Sequence, residues 1–389
     1  MMPGLALTEP QKLLCRAIAD DPVAVRGAAA RLLWEQLGDQ AAFALAYANQ
    51  VAPLLAHVLI ETLGSEIPAP WHQAHEETLK RISLYLGELD RLAAGLAEAG
   101  IPLVALKNGG IARGIFPCPG CCPMGDLDVL VEKRQFRRAH KIILSAGYNF
   151  EFRSPLEKPS LEAAEQGGGA EYWKVLPGGA RLWLELQWRP VAGRWMRPDQ
   201  EPEAEDLLAR SVPIPGSAAR LLAPEDNLLQ VALHTAKHSY VRAPGFRLHT
   251  DVDRIVRRQT LNWDLFLARV ISLKVKTPVY FSLAIPRFLF GTPIPDEVLA
   301  QLQPPAWKIA LISNWLRRVG LFNPDEPKFG RAGFVFFTAL LYDDLKGLFR
   351  GLFPGKAWMR AHYRFQSSWL LPYYYGRRLV DLALHRVAT

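Results

Sequence analysis

Cysteine is scarce in this chain, with four residues in 389. That is too few for a disulfide framework, which small secreted domains use when they cannot build a core. Three of the four cluster at Cys118, Cys121 and Cys122. A Cys-x-x-Cys pair can ligate zinc, but a second pair at partner spacing is missing. The expectation is reduced thiols in a tight Pro/Gly loop. Long apolar runs are also missing. Phe334–Tyr342 and Pro278–Gly291 are short or interrupted, well below the roughly 18–20 residues of a membrane span. No basic start followed by an apolar core opens the sequence, so no signal peptide is read and a cytoplasmic location is expected. There is no internal repeat, no RNA-binding signature and no helix-turn-helix signature.

What is present is globular composition: half of the residues are hydrophobic and 22% are charged. The length allows two or three domains. The expected class is α+β, with strands gathered in a central core between helical regions. The expected divisions are a helical cap over 1–99, a core over 100–200 and a mainly helical region over 201–389. The net charge of +8 favours anionic partners without choosing among them.

Thr8-Glu9-Pro10 starts a helical N-terminal region. Ala24–Leu37 and Gln40–Leu63 continue it. Trp71–Ala99 is expected as a long amphipathic helix with Leu79, Ile82, Leu86, Leu89 and Leu92 on one stripe. Gly100-Ile101-Pro102 then leads into the informative stretch, Ile101–Val131. It reads as a strand ending at Lys107, a glycine turn at Asn108-Gly109-Gly110, a short helix, a loop and a second strand. Alternation puts Asp126, Asp128 and Leu130 on one face of that strand and Leu127, Val129 and Val131 on the other. Two adjacent carboxylates are costly without a cation, and a hard divalent ion would relieve that cost.

Further on, Glu132–Ala146 reads as a helix and Tyr148–Phe152 as a strand. Ser154–Gly169 reads as a flexible loop. Glu171–Leu176 and Ala180–Trp188 form a hairpin. In its second strand Trp183, Glu185 and Gln187 share a face, so Glu185 projects from a strand that otherwise looks like core and needs a partner. Pro224-Glu225-Asp226 opens a helix that carries His234, Lys237 and His238. A second helical segment, from Arg247, carries Asp251 and Asp253, at most one of which would join a common site.

A glycine turn at a helix N-terminus presents backbone N–H groups to phosphate. Lys107, Asn108, Gly109 and Gly110 are therefore candidate nucleotide-binding residues. Asp126, Asp128 and Glu185 are candidate metal ligands and catalytic residues for phosphoryl-type transfer through Mg2+, with Mn2+ as a substitute. Other readings stand beside these: Asp126 and Asp128 capping a neighbouring helix, Glu185 paired with an arginine, and Lys107 solvated at a strand end. His234 and His238 are four apart on one helical face. They suit hydrogen bonding between packed helices, a share in substrate binding together with Lys237, or a metal. A zinc-protease motif is excluded, because no Glu stands where H-E-x-x-H needs it. The aromatic–arginine C-terminus, with Tyr373-Tyr374-Tyr375 and Arg377-Arg378, suits either core packing or contact with an anionic surface such as a membrane.

The run LKNGGIARGIF, PMGDLDVLV, LELQW, PEDNLLQVALHTAKHSY and DVDRIVRR…NWD resembles the uncharacterised bacterial nucleotidyltransferase family of the polymerase-β-like superfamily. The resemblance covers roughly residues 70–270. It implies a small mixed β-sheet core with helices, in which Gly109 and Gly110 match the glycine turn, Lys107 the preceding lysine, Asp126 and Asp128 the metal pair, and Glu185 the third carboxylate. It implies transfer of a nucleoside monophosphate from a nucleoside triphosphate to an unidentified small-molecule or macromolecular acceptor, at a hydroxyl or phosphate. The chain departs from the pattern at Asn108, at Cys122 near the place of an arginine, and at Gln187 in place of a histidine. Those departures raise the alternative of a degenerate nucleotide-binding or scaffold protein without catalysis. A nucleotide-sugar glycosyltransferase is disfavoured by the short spacing from the glycines to the D-x-D.

Overall fold

The N-terminal helices follow from caps and breakers. In the computed structural model, which describes residues 5–153, 160–191, 198–363 and 365–384, α1 spans Glu9–Ile18. Thr8 and Gln11 close a reciprocal capping box at its start. α2 (Val23–Leu37) ends at Gly38, whose φ of 74° suits glycine. The stretch 40–63 is not one continuous helix. α3 (Asp39–Ala48) stops at Asn49-Gln50, and α4 (Ala52–Leu63) restarts with Pro53 in its first turn. Proline cannot donate to a continuing helix, and Gln50 sits at φ 58°. α5 (Ala69–Glu98) buries Ile82, Leu86, Leu89 and Leu92 as expected, but Leu79 faces solvent while Trp71 and Thr78 take the buried side.

The sheet has seven strands in the order β3-β4-β5-β2-β1-β7-β6, a mixed sheet in an α+β protein. β1 (Val104–Leu106) runs antiparallel to β2 (Asp126–Leu130), and β2 runs parallel to β5 (Arg181–Gln187). α6 (Lys107–Gly114) lies between β1 and β2, and α7 (Phe136–Ser145) follows β2. β3 (Asn149–Phe150) is shorter than the expected strand. It pairs with β4 (Gly169–Val175), which forms the hairpin with β5. The polar stretch expected to be a loop contains α8 (Leu161–Gly167), capped by Ser160; its residues 154–159 lie outside the described residues. α9 (Ala204–Arg210) precedes two short strands the pattern did not reveal, β6 (Val212–Pro213) and β7 (Arg220–Leu221), which complete one edge.

α10 (Pro224–Lys237) is buried along nearly its whole length, with α11 (Phe246–Arg258), α12 (Trp263–Ser272) and α13 (Lys276–Phe290) around it. Asp253 of α11 does not join the carboxylates of β2. It accepts from the Asp20 amide at 2.9 Å, from Arg257 at 2.8 Å and from Thr292 at 2.6 Å, tying α11 to the end of α1. The chain continues through α14 (Asp296–Leu302), α15 (Ala306–Val319), α16 (Arg331–Leu340), α17 (Leu345–Leu352), α18 (Lys356–Tyr363) and α19 (Leu371–Leu384). There Tyr374 stacks on Phe365 and Tyr375 donates to the Pro354 carbonyl, whereas Leu345, Phe349 and Trp369 are exposed. Among the described residues no helix is long and apolar enough to cross a membrane.

Candidate functional site

Strand register decides which side chains meet. Leu106 pairs with Asp128, Asp128 with Glu185, and Glu185 with Glu171. Paired residues on adjacent strands point to the same face. Asp126, Asp128, Glu185 and Glu171 therefore gather on one face of three neighbouring strands. The opposite face is apolar: Leu127, Val129, Leu182, Leu184 and Leu186 are fully buried in the main core. Leu130, beyond Asp128 on the acidic face, belongs to a small apolar cluster with Leu106, Leu207 and Leu222. That cluster keeps the far end of the acid row dry.

β1 ends where β2 begins, so α6 starts beside Asp128. Lys107 is not the end of the strand; it is the first residue of α6, at φ 49°. It is only 6% exposed, which removes the solvated reading. Its Nζ contacts Asp128 Oδ1 and stands 3.9 Å from Glu185 Oε2. Burial opposes its charge, but Asp128, Glu185 and Asp126 together push its pKa up, so it stays an ammonium. Gly109 and Gly110 lie within the first helical turn rather than in a turn before it. A Cβ on Gly110 would stand 2.6 Å from the Ala105 carbonyl oxygen and 3.0 Å from Leu221, and one on Gly109 would stand 3.2 Å from Leu127. The glycines let α6 press against the sheet. Its first N–H groups, at Lys107, Asn108 and Gly109, have no helical partner of their own, and Gly110 is the first to reach back, to the N-cap Leu106.

Two residues that the sequence pattern did not single out complete the cluster. Arg153 bonds Asp126 at 2.8 Å, contacts Glu185 and lies 3.5 Å from Glu171. Its guanidinium also faces the Trp183 ring at 5.5 Å. Glu171 accepts the Arg153 backbone N–H at 2.6 Å. Hairpin register could have found Glu171; nothing local could have found Arg153. Gln187 Nε2 donates to Asp128 and to Glu185 at 2.8 Å each, while its Oε1 is buried without a partner. Burial and the neighbouring carboxylates raise the Asp128 pKa well above 3.8. Burial also raises Glu185, but Lys107 and Arg153 override it and hold that carboxyl at about 2. Glu185 is thus ion-paired with Arg153, as one sequence reading had it, and it also shares a face with Asp128.

α10 closes the site from the side. Lys237 lies within electrostatic reach of Lys107, Glu185 and Asp128; burial and Lys107 lower its pKa, and the carboxylates oppose them. Burial and Lys107 keep His234 well below 6.5 and therefore neutral. His234 meets His238 edge-to-face at 4.8 Å, and His238 Nδ1 bonds the Ala243 carbonyl at 2.6 Å. No arginine of the local sequence stands before the D-x-D, but α11 supplies two. Arg247 contacts the Pro123 carbonyl, and Arg254 bonds Cys122 Sγ at 3.3 Å and the Cys121 carbonyl at 3.1 Å. Cys118 and Cys121 are joined as a disulfide rather than held as two reduced thiols, while Cys15 and Cys122 are free and buried.

Fold and site together define an α+β protein with a row of carboxylates at one end of a mixed sheet, beneath the N-terminus of a glycine-bearing helix. Residues 35–291 match the model of the uncharacterised nucleotidyltransferase family, and the chain belongs to that family. The match runs from the end of α2 through α13, so the C-terminal helices lie outside it. No protein of curated function and no solved structure matches the chain.

Proposed function

We propose that the chain is a divalent-metal-dependent enzyme that moves a nucleoside monophosphate from a nucleoside triphosphate to a hydroxyl or phosphate acceptor. The observation that carries this reading is the gathering of Asp126, Asp128 and Glu185 on one face, at the end of the sheet where α6 begins. The same arrangement supports a place in the polymerase-β-like superfamily. The donor set is all carboxylate oxygen, which fits Mg2+ or Mn2+ better than a soft metal. Arg153 and Lys107 now supply the positive charge the acids demand, and the unpaired Gln187 Oε1 marks polar space beside them.

Asp126, Asp128 and Glu185 would hold the ion. When bound, it supplies charge neutralisation on phosphate oxygens and eases loss of the acceptor proton. The residues of the chain do the rest. The N–H groups of Asn108 and Gly109 take phosphate at the positive end of α6, and Gly110 lets that end lie close to the sheet. Lys107 keeps Asp128 paired and its orientation fixed. Arg153, once released from Asp126 and Glu185, has a planar fork suited to phosphate oxygens. Lys237 adds positive charge from α10, and His234 and His238 line the same side as neutral groups for the acceptor or nucleotide.

A binding-only reading draws on two observations: Arg153 and Lys107 already neutralise the acids, and Gln187 stands where a histidine is usual. One experiment separates the two. Mg-nucleotide binding is measured by calorimetry for each common triphosphate, and pyrophosphate release is followed across a panel of acceptors. Binding should vanish in Asp126→Asn and Asp128→Asn. Unaltered binding in both variants overturns the site. Tight binding with no pyrophosphate from any pair favours the binding-only protein.

A further inference from the structure

A second group of side chains shares no residue with the carboxylate row. His57 lies on α4, His75 on α5, and Cys118 and Cys121 flank the turn between α6 and β2. One ligand atom from each lies within 4.8 Å of all the others. The His57 and His75 rings stack at 5.2 Å. Two cysteines three apart and two histidines from separate helices form the donor set of a closed, four-ligand zinc site.

The disulfide alone does not explain the histidines. His75 Nε2 is buried with no hydrogen-bond partner. A ring nitrogen left in that state is costly, and an ion would satisfy it. Gly120, between the two cysteines, is what allows the approach: a Cβ there would stand 2.3 Å from that nitrogen. His57 Nε2 is held by Glu61 at 3.1 Å, and Glu61 is held in turn by Arg26 at 2.9 Å. A carboxylate behind an imidazole fixes its tautomer and orients a ligating ring. With Nε2–H donating to the Glu61 carboxylate, the Nδ1 lone pair is the one left for a metal. Burial lowers both histidines, and His57 lowers His75 further, so both are in the neutral form that coordinates.

We propose that the reduced chain binds one structural Zn2+ through His57, His75, Cys118 and Cys121. Zn–S bonds of about 2.3 Å and Zn–N bonds of about 2.0 Å put tetrahedral ligand atoms roughly 3–4 Å apart, a small adjustment from the spacing observed. Two thiolates and two neutral imidazoles cancel the charge of the ion, which suits a half-buried place. Loading requires the thiol form. An external dithiol delivers two electrons to the Cys118–Cys121 bond and leaves as its own disulfide; zinc then replaces the two thiol protons, which pass to solvent. With four protein ligands no position remains for substrate, so the ion is a clamp. It would fasten α4 and α5 to the loop that delivers Asp126, and disulfide and zinc forms exclude each other.

The test uses the full chain, purified without chelator and kept reduced with a phosphine. Thiol titration under denaturing conditions first establishes that all four cysteines are free. Elemental analysis should then give one zinc per chain. Cobalt titrated into the metal-free reduced chain should give the visible bands of a tetrahedral ion with sulfur-to-metal charge transfer. His75→Gln and Cys121→Ser should each lower metal affinity at least tenfold. Four free thiols with neither zinc nor tetrahedral cobalt taken up would overturn the proposal. So would cobalt binding without thiolate charge transfer. Both readouts use the unaltered chain, so a variant that fails to fold cannot rescue or sink the inference.

Discussion

Lys107→Met removes the ammonium beneath the carboxylate row and leaves the volume and the backbone strain almost unchanged, because both side chains are unbranched at Cβ. The lysine is 6% exposed, contacts Asp128 and stands 3.9 Å from Glu185. At an effective dielectric constant of about 20, the Glu185 attraction alone is about 4 kcal/mol before desolvation is subtracted. Breaking a buried pair from one side typically costs about 3–5 kcal/mol. A ceiling follows from Asp128, which can escape by taking a proton; its raised pKa makes that cheaper than the about 4 kcal/mol an ordinary carboxyl would cost at pH 7, and the cost falls by about 1.4 kcal/mol for each pH unit below. The expected loss is therefore at most about 3 kcal/mol at pH 7, and smaller at pH 5. Urea unfolding read by tryptophan fluorescence measures it, since Trp183 sits beside the site. In an Asp128→Asn background the effect of Lys107→Met should shrink by at least half. A loss under about 0.5 kcal/mol at pH 7, or one that does not change with pH, would refute the assignment of Lys107 as the counter-charge of this cluster.

Gly110→Ala should cost at least about 2 kcal/mol and weaken nucleotide binding, because its Cβ would meet the Ala105 carbonyl at 2.6 Å and backbone cannot yield cheaply; denaturation and nucleotide calorimetry check both. Asp128 holds its proton to a higher pH folded than unfolded, so stability declines as pH rises through the interval above 3.8. Mg2+ needs that carboxylate, so its affinity should rise with pH over the same interval, with protons released on binding; calorimetry in buffers of different ionisation enthalpy reads the release. Arg153→Ala should tighten Mg2+ binding several-fold by removing a competing cation, and unchanged or weaker affinity would show that Arg153 does not compete for the site. His249 is fully buried, and burial lowers its pKa to about 4 against the bond from Nε2 to the Tyr240 carbonyl. A depressed histidine favours the folded chain above its unfolded pKa, so about 3 kcal/mol should be lost as pH falls from 6.5 to 4. His249→Gln should flatten that limb of a stability–pH curve.

The sequence by itself determined the parts that are written locally. Strand alternation placed Asp126 and Asp128 on one face and Leu127 and Val129 on the other, and the structure keeps that division. The same parity put Glu185 and Gln187 together on β5, where Gln187 bonds Glu185. Thr8 and Pro224 announced their helices because caps act within one turn. Local rules failed where a choice depends on distant groups. Lys107 could be a strand end or a helix start until α6 packed on the sheet, and two glycines that suit a turn serve instead as a close-packing face. The break between α3 and α4 was hidden by a run of Ala and Leu with good helix propensity, which Pro53 and Gln50 override.

Only the tertiary structure decided what neutralises the acids and what stands against the cysteines. Arg153, from the segment after β3, reaches Asp126 and Glu185 only once β3 and β4 extend the sheet beside them. His57 and His75 reach Cys118 and Cys121 because α4 and α5 pack against the loop before β2. A charged group buried on one strand must find a partner, and the sequence states that need. Which partner arrives is settled by the sheet order and by the helices packed against it, and spacing along the chain carries no record of either.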